Sequence, residues 1–168
     1  QNITIKHNRN DLNRTYVNTF GIYSNTNQRP TLVATAGTGS VAGNHNLKIY
    51  GNTITDVNMG IVAVGPGAAA DYASVLDIGG SSLATGNTLT NFGTSATYSS
   101  YPSVNASANC TGIYVRYTTD YNISYNSLTS SNGGMTSGTF RGIYINNYVN
   151  APLGTITNSI NNNDISIK

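Results

Sequence analysis

The sequence has no glutamate, no tryptophan, a single cysteine and very few charges of either sign. Eight Lys and Arg and six acids, all Asp, leave 8% of the 168 residues charged with a net charge of +2. An average soluble domain carries roughly 25% charged residues. Helical bundles and coiled coils need Glu, Lys, Leu and Ala at helical spacing, so both are excluded. A charged disordered tail is excluded by the small net charge. Eight scattered cations form no basic stripe, so no nucleic-acid partner is expected. No apolar run approaches the ~20 residues of a membrane span, so no membrane span is expected. Cys110 cannot form an internal disulfide and reads as a small buried hydrophobe. A chain of this length suits one domain with a core.

Asn, Thr, Ser, Gly and 12 Tyr take the place of charge. Asn and Gly favour tight turns, while Thr, Tyr, Val and Ile favour strands. The mixture predicts many short strands separated by sharp corners.

The pattern is periodic. An apolar residue, two spacers, Asn, any residue, Ile or Leu, then Thr or Ser recurs as I49-Y-G-N52-T-I54-T55, I123-S-Y-N126-S-L128-T129 and I160-N-N-N163-D-I165-S166. A looser copy is A84-T-G-N87-T-L89-T90, and I5-K-H-N8 is a degenerate one whose pattern fails after Asn8. A second segment falls between these copies: G21-I-Y-S, G60-I-V-A-V, G112-I-Y-V-R and G142-I-Y-I-N. Constant strands joined by linkers of varied length are the mark of a solenoid with loops extruded at its corners. Side-chain alternation turns Ile54, Leu89, Leu128 and Ile165 inward and the flanking Thr, Ser and Asp outward. Each repeat buries three or four apolar side chains, so stability must come from stacking the repeats.

Asn8, Asn52, Asn87, Asn126 and Asn163 are expected at a corner. There they would adopt the left-handed conformation and bond from repeat to repeat as a structural ladder.

This N-x-[IL]-[TS] … G-I-[YV] pattern resembles the right-handed parallel β-helix repeats of the pectate-lyase-like superfamily, over essentially the whole chain. The resemblance implies an all-β, right-handed parallel β-helix of about five coils, residues 1–168 forming one segment. It is specific for fold and unspecific for function. The Asn/Thr/Tyr-rich, Glu-free style is also similar to very large secreted bacterial surface proteins, which implies an extracellular or cell-surface location. The chain opens and closes inside a repeat. That predicts an internal piece of a longer β-helix, stacked on flanking coils or on an end-capping partner chain.

Residues with chemistry are few. Asp11 and Asp56 follow two Asn copies and are expected near each other, within reach of Arg9, Arg14 or Lys48. This is the one acid–base cluster that can be assembled, and it reads first as solvated corner charges. Asp71, Asp77 and Asp120 read as loop or turn residues. His7 and His45 are expected on one surface, without further ligands for a metal. No catalytic residue, metal site or cofactor is assigned.

The aromatic residues suggest more. In register, Tyr23, Val62, Tyr114 and Tyr144 form one outward column, and Asn25, Val64, Arg116 and Asn146 the next. Flat aromatic faces beside amides and an Arg suit sugar rings, so Tyr23, Tyr114, Arg116, Tyr144 and Asn146 are the expected glycan-contacting residues. The expected function is a structural or adhesive surface segment whose partner is a polysaccharide or cell-surface glycan. The alternative is the scaffold of a carbohydrate-active enzyme, a lyase or hydrolase. A remote alternative is an ice-binding solenoid using its outward Thr rows. Four loops, at residues 25–43, 65–82, 92–110 and 130–140, are expected to carry surface packing or adhesion.

Overall fold

A computed structural model describes residues 2–16, 19–25, 44–67, 72–93, 110–131, 140–147 and 156–168. The described residues form strands and turns without a helix. The strands are β1 (Ile3–Lys6), β2 (Arg9–Asp11), β3 (Phe20–Asn25), β4 (Leu47–Tyr50), β5 (Thr53–Val57), β6 (Met59–Val64), β7 (Ala73–Ile78), β8 (Thr88–Phe92), β9 (Cys110–Arg116), β10 (Thr118–Ser124), β11 (Ser127–Ser130), β12 (Phe140–Ile145), β13 (Ser159–Asn161) and β14 (Asp164–Ile167).

They pair in parallel into three sheets. Sheet A runs β1-β4-β7-β10-β13, sheet B runs β2-β5-β8-β11-β14, and sheet C runs β3-β6-β9-β12. Every third strand therefore returns to the same sheet, one position further along. This all-β arrangement of stacked parallel strands is consistent with a parallel β-helix. Each repeat supplies one strand per sheet, except the fifth, which supplies β13 and β14.

The inward rows are those that alternation requires. Ile49, Ile78 and Ile123 come from sheet A, Ile54, Leu89 and Leu128 from sheet B, and Ile61, Ile113 and Val115 from sheet C; all are fully buried in one cluster. Asn10 occupies the row of Ile54 in the first repeat, where Nδ2 donates to the Gly21 carbonyl at 2.9 Å. That bond accounts for the failed pattern after Asn8.

The recurring Gly has a steric origin. A Cβ on Gly60 would meet Leu89 Cδ2 and the Gly112 carbonyl, because sheets B and C converge there. Only hydrogen fits at that close approach.

In sheet C the central strands, β6 and β9, are buried on both faces. Its second side packs Met59, Val62, Val64, Tyr72, Tyr114 and Tyr117 into a cluster flanked by Phe20, Tyr23 and Tyr144. β6 accordingly reads as a continuous apolar run, whereas β11 of sheet B alternates.

Several expectations need correction. The loop expected over residues 65–82 contains β7, so Asp77 is a strand residue, and Asp120 lies within β10. In the third repeat, Ile49 pairs with Ile78 and not with Ala84. A segment inserted between Ile78 and Asn87 had shifted the apparent match. The remaining expected loops lie largely outside the described residues, as does Asp71.

Candidate functional site

The most extensive polar assembly is the corner between sheets A and B. All five expected asparagines meet there. Asn8 Nδ2 donates to Asn52 Oδ1 at 3.0 Å, Asn52 Nδ2 to Asn87 Oδ1 at 2.9 Å, Asn87 Nδ2 to Asn126 Oδ1 at 2.8 Å, and Asn126 Nδ2 to Asn163 Oδ1 at 3.0 Å. The backbone N–H of each donor residue reaches the same oxygen, at 3.0 to 3.1 Å. Each later Asn returns an Nδ2 bond to a sheet A carbonyl of the preceding repeat: Ile5, Ile49, Ile78 and Ile123. Asn52, Asn87 and Asn126 are buried, so these bonds form out of competition with water.

The left-handed geometry falls elsewhere than expected. The ladder Asn are not at positive φ. Before four of the five, the preceding residue is: His7 at 56°, Gly51 at 60°, Tyr125 at 60° and Asn162 at 52°, whereas Gly86 before Asn87 is not. An extended Asn can aim its amide along the stack while its neighbour makes the bend. Positive φ recurs within sheet B at Asp56 and Asn91, within sheet A at Val75 and Asp120, and at Asn46 just before β4.

The aromatic column forms in sheet C. Tyr23 pairs with Val62, Val62 with Tyr114, and Tyr114 with Tyr144. Its middle is closed: Tyr114 is 2% exposed and Val62 fully buried, while Tyr23, Arg116, Tyr144 and Asn146 are half-buried. The Tyr114 hydroxyl accepts from Asn146 Nδ2 at 3.1 Å. Burial raises the Tyr114 phenol above its ordinary pKa range, opposed by that bond and by the Arg116 charge. Arg141 lies 4.5 Å over the Tyr144 ring, and Arg116 4.5 Å over Tyr117. Of the five residues expected to touch glycan, Tyr114 thus presents almost no surface. The reason is the second apolar cluster, which sequence alternation alone did not disclose.

The acid–base cluster assembles only in part: Arg9 and Asp11 lie two residues apart on one face of β2. Asp11 pairs with Thr55, which places it beside Asp56, whose Oδ2 accepts from Thr55 Oγ1 at 3.2 Å. Arg14 points away: Nε donates to the Gly93 carbonyl at 2.7 Å and Nη2 to the Ser131 carbonyl at 2.9 Å. Lys48 lies in sheet A, paired with Asp77. The two histidines also separate. His7 follows β1 at the A–B corner, whereas His45 precedes β4 and meets Ser74 Oγ at 2.9 Å. Among the described residues no group of three or more His, Cys, Asp or Glu is placed to hold a metal ion.

Sequence reasoning missed two polar features. One is the Arg14 clasp, which ties the first repeat to the third and fourth. The other is a cluster on sheet A. There Asp77 accepts from Tyr50 Oη, from Asn122 Nδ2 at 2.8 Å and from the Gly80 N–H at 3.1 Å. Tyr50 has its pKa raised by burial first and by Asp77 second. Neither feature has a local sequence signal, because, apart from the Gly80 N–H, the partners lie 27 to 117 residues apart. On sheet A, Asn2, Thr4, Asn46, Lys48 and Val75 line an open groove of about 240 Å³.

These features define an all-β repeat protein built on parallel sheets and an internal asparagine ladder. Comparison with known protein families, with curated proteins and with solved structures finds no match for this chain.

Proposed function

We propose that the chain is a segment of a right-handed parallel β-helix with a structural or adhesive role at an extracellular or bacterial cell surface. The observation that supports this most is how its repeated polar residues are used. The Asn ladder, the Arg14 clasp and the Asp77 cluster all join one repeat to another, which suits a stiff spacer. In this reading its partners are flanking β-helix coils or an end-capping chain. Glycan contact, where it occurs, uses the half-exposed rim of the aromatic column: Tyr23, Arg116, Tyr144 and Asn146.

The test is retention of the chain by insoluble polysaccharides and by glycan-bearing cell surfaces, with Tyr23→Ala and Tyr144→Ala as controls. Binding lost in these variants, with unchanged thermal unfolding, supports the adhesive reading. Release of new sugar ends from a polysaccharide overturns it in favour of an enzyme scaffold.

A further inference from the structure

We propose that Asn13 is an attachment site for an asparagine-linked glycan, added to the folded chain, and that the equally matched Asn122 stays bare. The proposal rests on the extracellular reading above and adds a modification site to it.

Five N-x-[ST] triplets without a central Pro occur in the sequence, at Asn2, Asn13, Asn105, Asn109 and Asn122. This triplet is the acceptor pattern for asparagine-linked glycans on secreted proteins. Two of them also carry Asp two places ahead, in D11-L-N13-R-T15 and D120-Y-N122-I-S124. An anion there is a fixed handle for a cationic transferase groove. By sequence the two are equivalent. Asn105 and Asn109 lie outside the described residues.

The structure separates the pair. In both, the hydroxyl of the third residue donates to the Asn amide oxygen: Thr15 Oγ1 to Asn13 Oδ1 at 2.7 Å, and Ser124 Oγ to Asn122 Oδ1 at 2.6 Å. The amide nitrogen decides between them. Asn122 is half-buried, and its Nδ2 donates to Asp77 Oδ1 at 2.8 Å and to the Gly80 carbonyl at 2.9 Å. Both of its N–H groups are spent. Asn13 is exposed, as are Asp11 and Thr15. The Thr15 N–H also donates to Asn13 Oδ1, at 3.0 Å, which holds the oxygen against the backbone. Among the described residues Asn13 Nδ2 bonds to none.

The turn that carries Asn13 is anchored from within. The Tyr16 N–H donates to the Asn13 carbonyl at 3.2 Å, and Arg14 reaches the Gly93 and Ser131 carbonyls in the third and fourth repeats. The turn therefore lies along the side of the stack. Tyr16, 61% exposed, offers the first sugars an aromatic face there. Asn2 has no such turn, because its Thr4 is a β1 residue paired with Lys48.

The donor is a lipid-pyrophosphate-linked oligosaccharide. A bond forms between Asn13 Nδ2 and C1 of the first sugar as the C1–O bond to the pyrophosphate breaks. The lipid pyrophosphate leaves with that electron pair, and Nδ2 gives up one proton to the transferase. Oδ1 keeps both Thr15 bonds in the product.

The experiment incubates the purified chain with a bacterial oligosaccharyltransferase and a lipid-pyrophosphate-linked oligosaccharide, and reads each site by glycopeptide mass spectrometry. Glycan is expected on Asn13 and not on Asn122. Thr15→Ala should slow transfer to Asn13 by at least ~100-fold, and Thr15→Ser should keep it. A bare Asn13 in a reaction that modifies a flexible acceptor peptide overturns the proposal. So does equal occupancy of Asn13 and Asn122, or a Thr15→Ala chain modified as fast as wild type. With donor and transferase supplied, the outcome does not depend on where the chain resides. Amide exchange at Asn52, Asn87 and Asn126 is followed in the same samples. Protected amides beside a bare Asn13 mean that the stack stands and the site fails, whereas unprotected amides mean that the β-helix reading itself fails.

Discussion

Truncating the middle of the ladder should cost far more than truncating its end. Asn87→Ala removes four side-chain bonds: two accepted from Asn52, at 3.0 and 2.9 Å, and two donated, to Asn126 Oδ1 and the Ile49 carbonyl, both at 2.8 Å. Three of the four partners keep a bond. Asn52 Nδ2 retains the Ile5 carbonyl, Ile49 retains the Gly79 N–H, and Asn126 Oδ1 retains the Asn87 N–H. The Asn52 backbone N–H is left buried and bare. Three net bonds at ~1 kcal/mol and one orphaned donor at about 1–3 kcal/mol give a loss of about 4–6 kcal/mol. That is a large share of a total stability of roughly 5–15 kcal/mol. At about 2–4 °C per kcal/mol it lowers the melting temperature by roughly 8–24 °C. Asn8→Ala is the control. Its side chain is exposed, it loses bonds only to Asn52 Oδ1 and the Lys6 carbonyl, and Asn52 Oδ1 keeps the Asn8 N–H. The expected cost there is about 1 kcal/mol or less. Urea unfolding followed by circular dichroism measures both. Equal losses, or an Asn87→Ala loss near 1 kcal/mol, would refute the ladder as a buried, load-sharing structure.

Three more perturbations have signed outcomes. Val75 is 46% exposed at a φ of 58°, between Asn46 and Asp120 at 56° and 53°; Val75→Asn should gain about 1 kcal/mol by relieving a β-branched residue there, and an unchanged or lower urea midpoint would contradict this. Arg14→Ala should lose about 1–3 kcal/mol with the bonds to Gly93 and Ser131, and Arg14→Lys should recover only part because it cannot fork; equal stability of all three chains would dismiss the clasp. Tyr50 has a raised folded pKa, so its contribution is full below the unfolded value near ~10 and is lost as pH rises through the folded value. The urea midpoint should therefore fall above pH ~10, less steeply in Tyr50→Phe, and identical slopes would contradict the assignment.

Much of the architecture was legible because it is written in local patterns. The Asn spacing located the ladder, and alternation in T53-I54-T55 and its copies fixed which side chains face inward. What failed did so for physical reasons. The left-handed bend was assigned to Asn, yet it falls on His7, Gly51, Tyr125 and Asn162, because the ladder needs its Asn extended. Ala84 was matched in place of Ile78, since a segment inserted at a corner leaves the fold intact while breaking the spacing. The aromatic column was read as open because period-two alternation reports sides of a sheet and not what covers each side. Tyr114 is buried in a second cluster that includes Tyr72 and Tyr117, from other parts of the repeat. Arg14 and Asp77 act on partners that no local pattern names.

The central claim is a stack of parallel strands held in register by the Asn ladder, and nuclear Overhauser contacts from the Asn side-chain amides test it most directly. The expected result is an unbroken chain of contacts from Asn8 through Asn52, Asn87 and Asn126 to Asn163, with Ile54, Leu89 and Leu128 in the matching inward row. Contacts that skip a repeat, or close Hα–Hα contacts typical of antiparallel pairs, would contradict it.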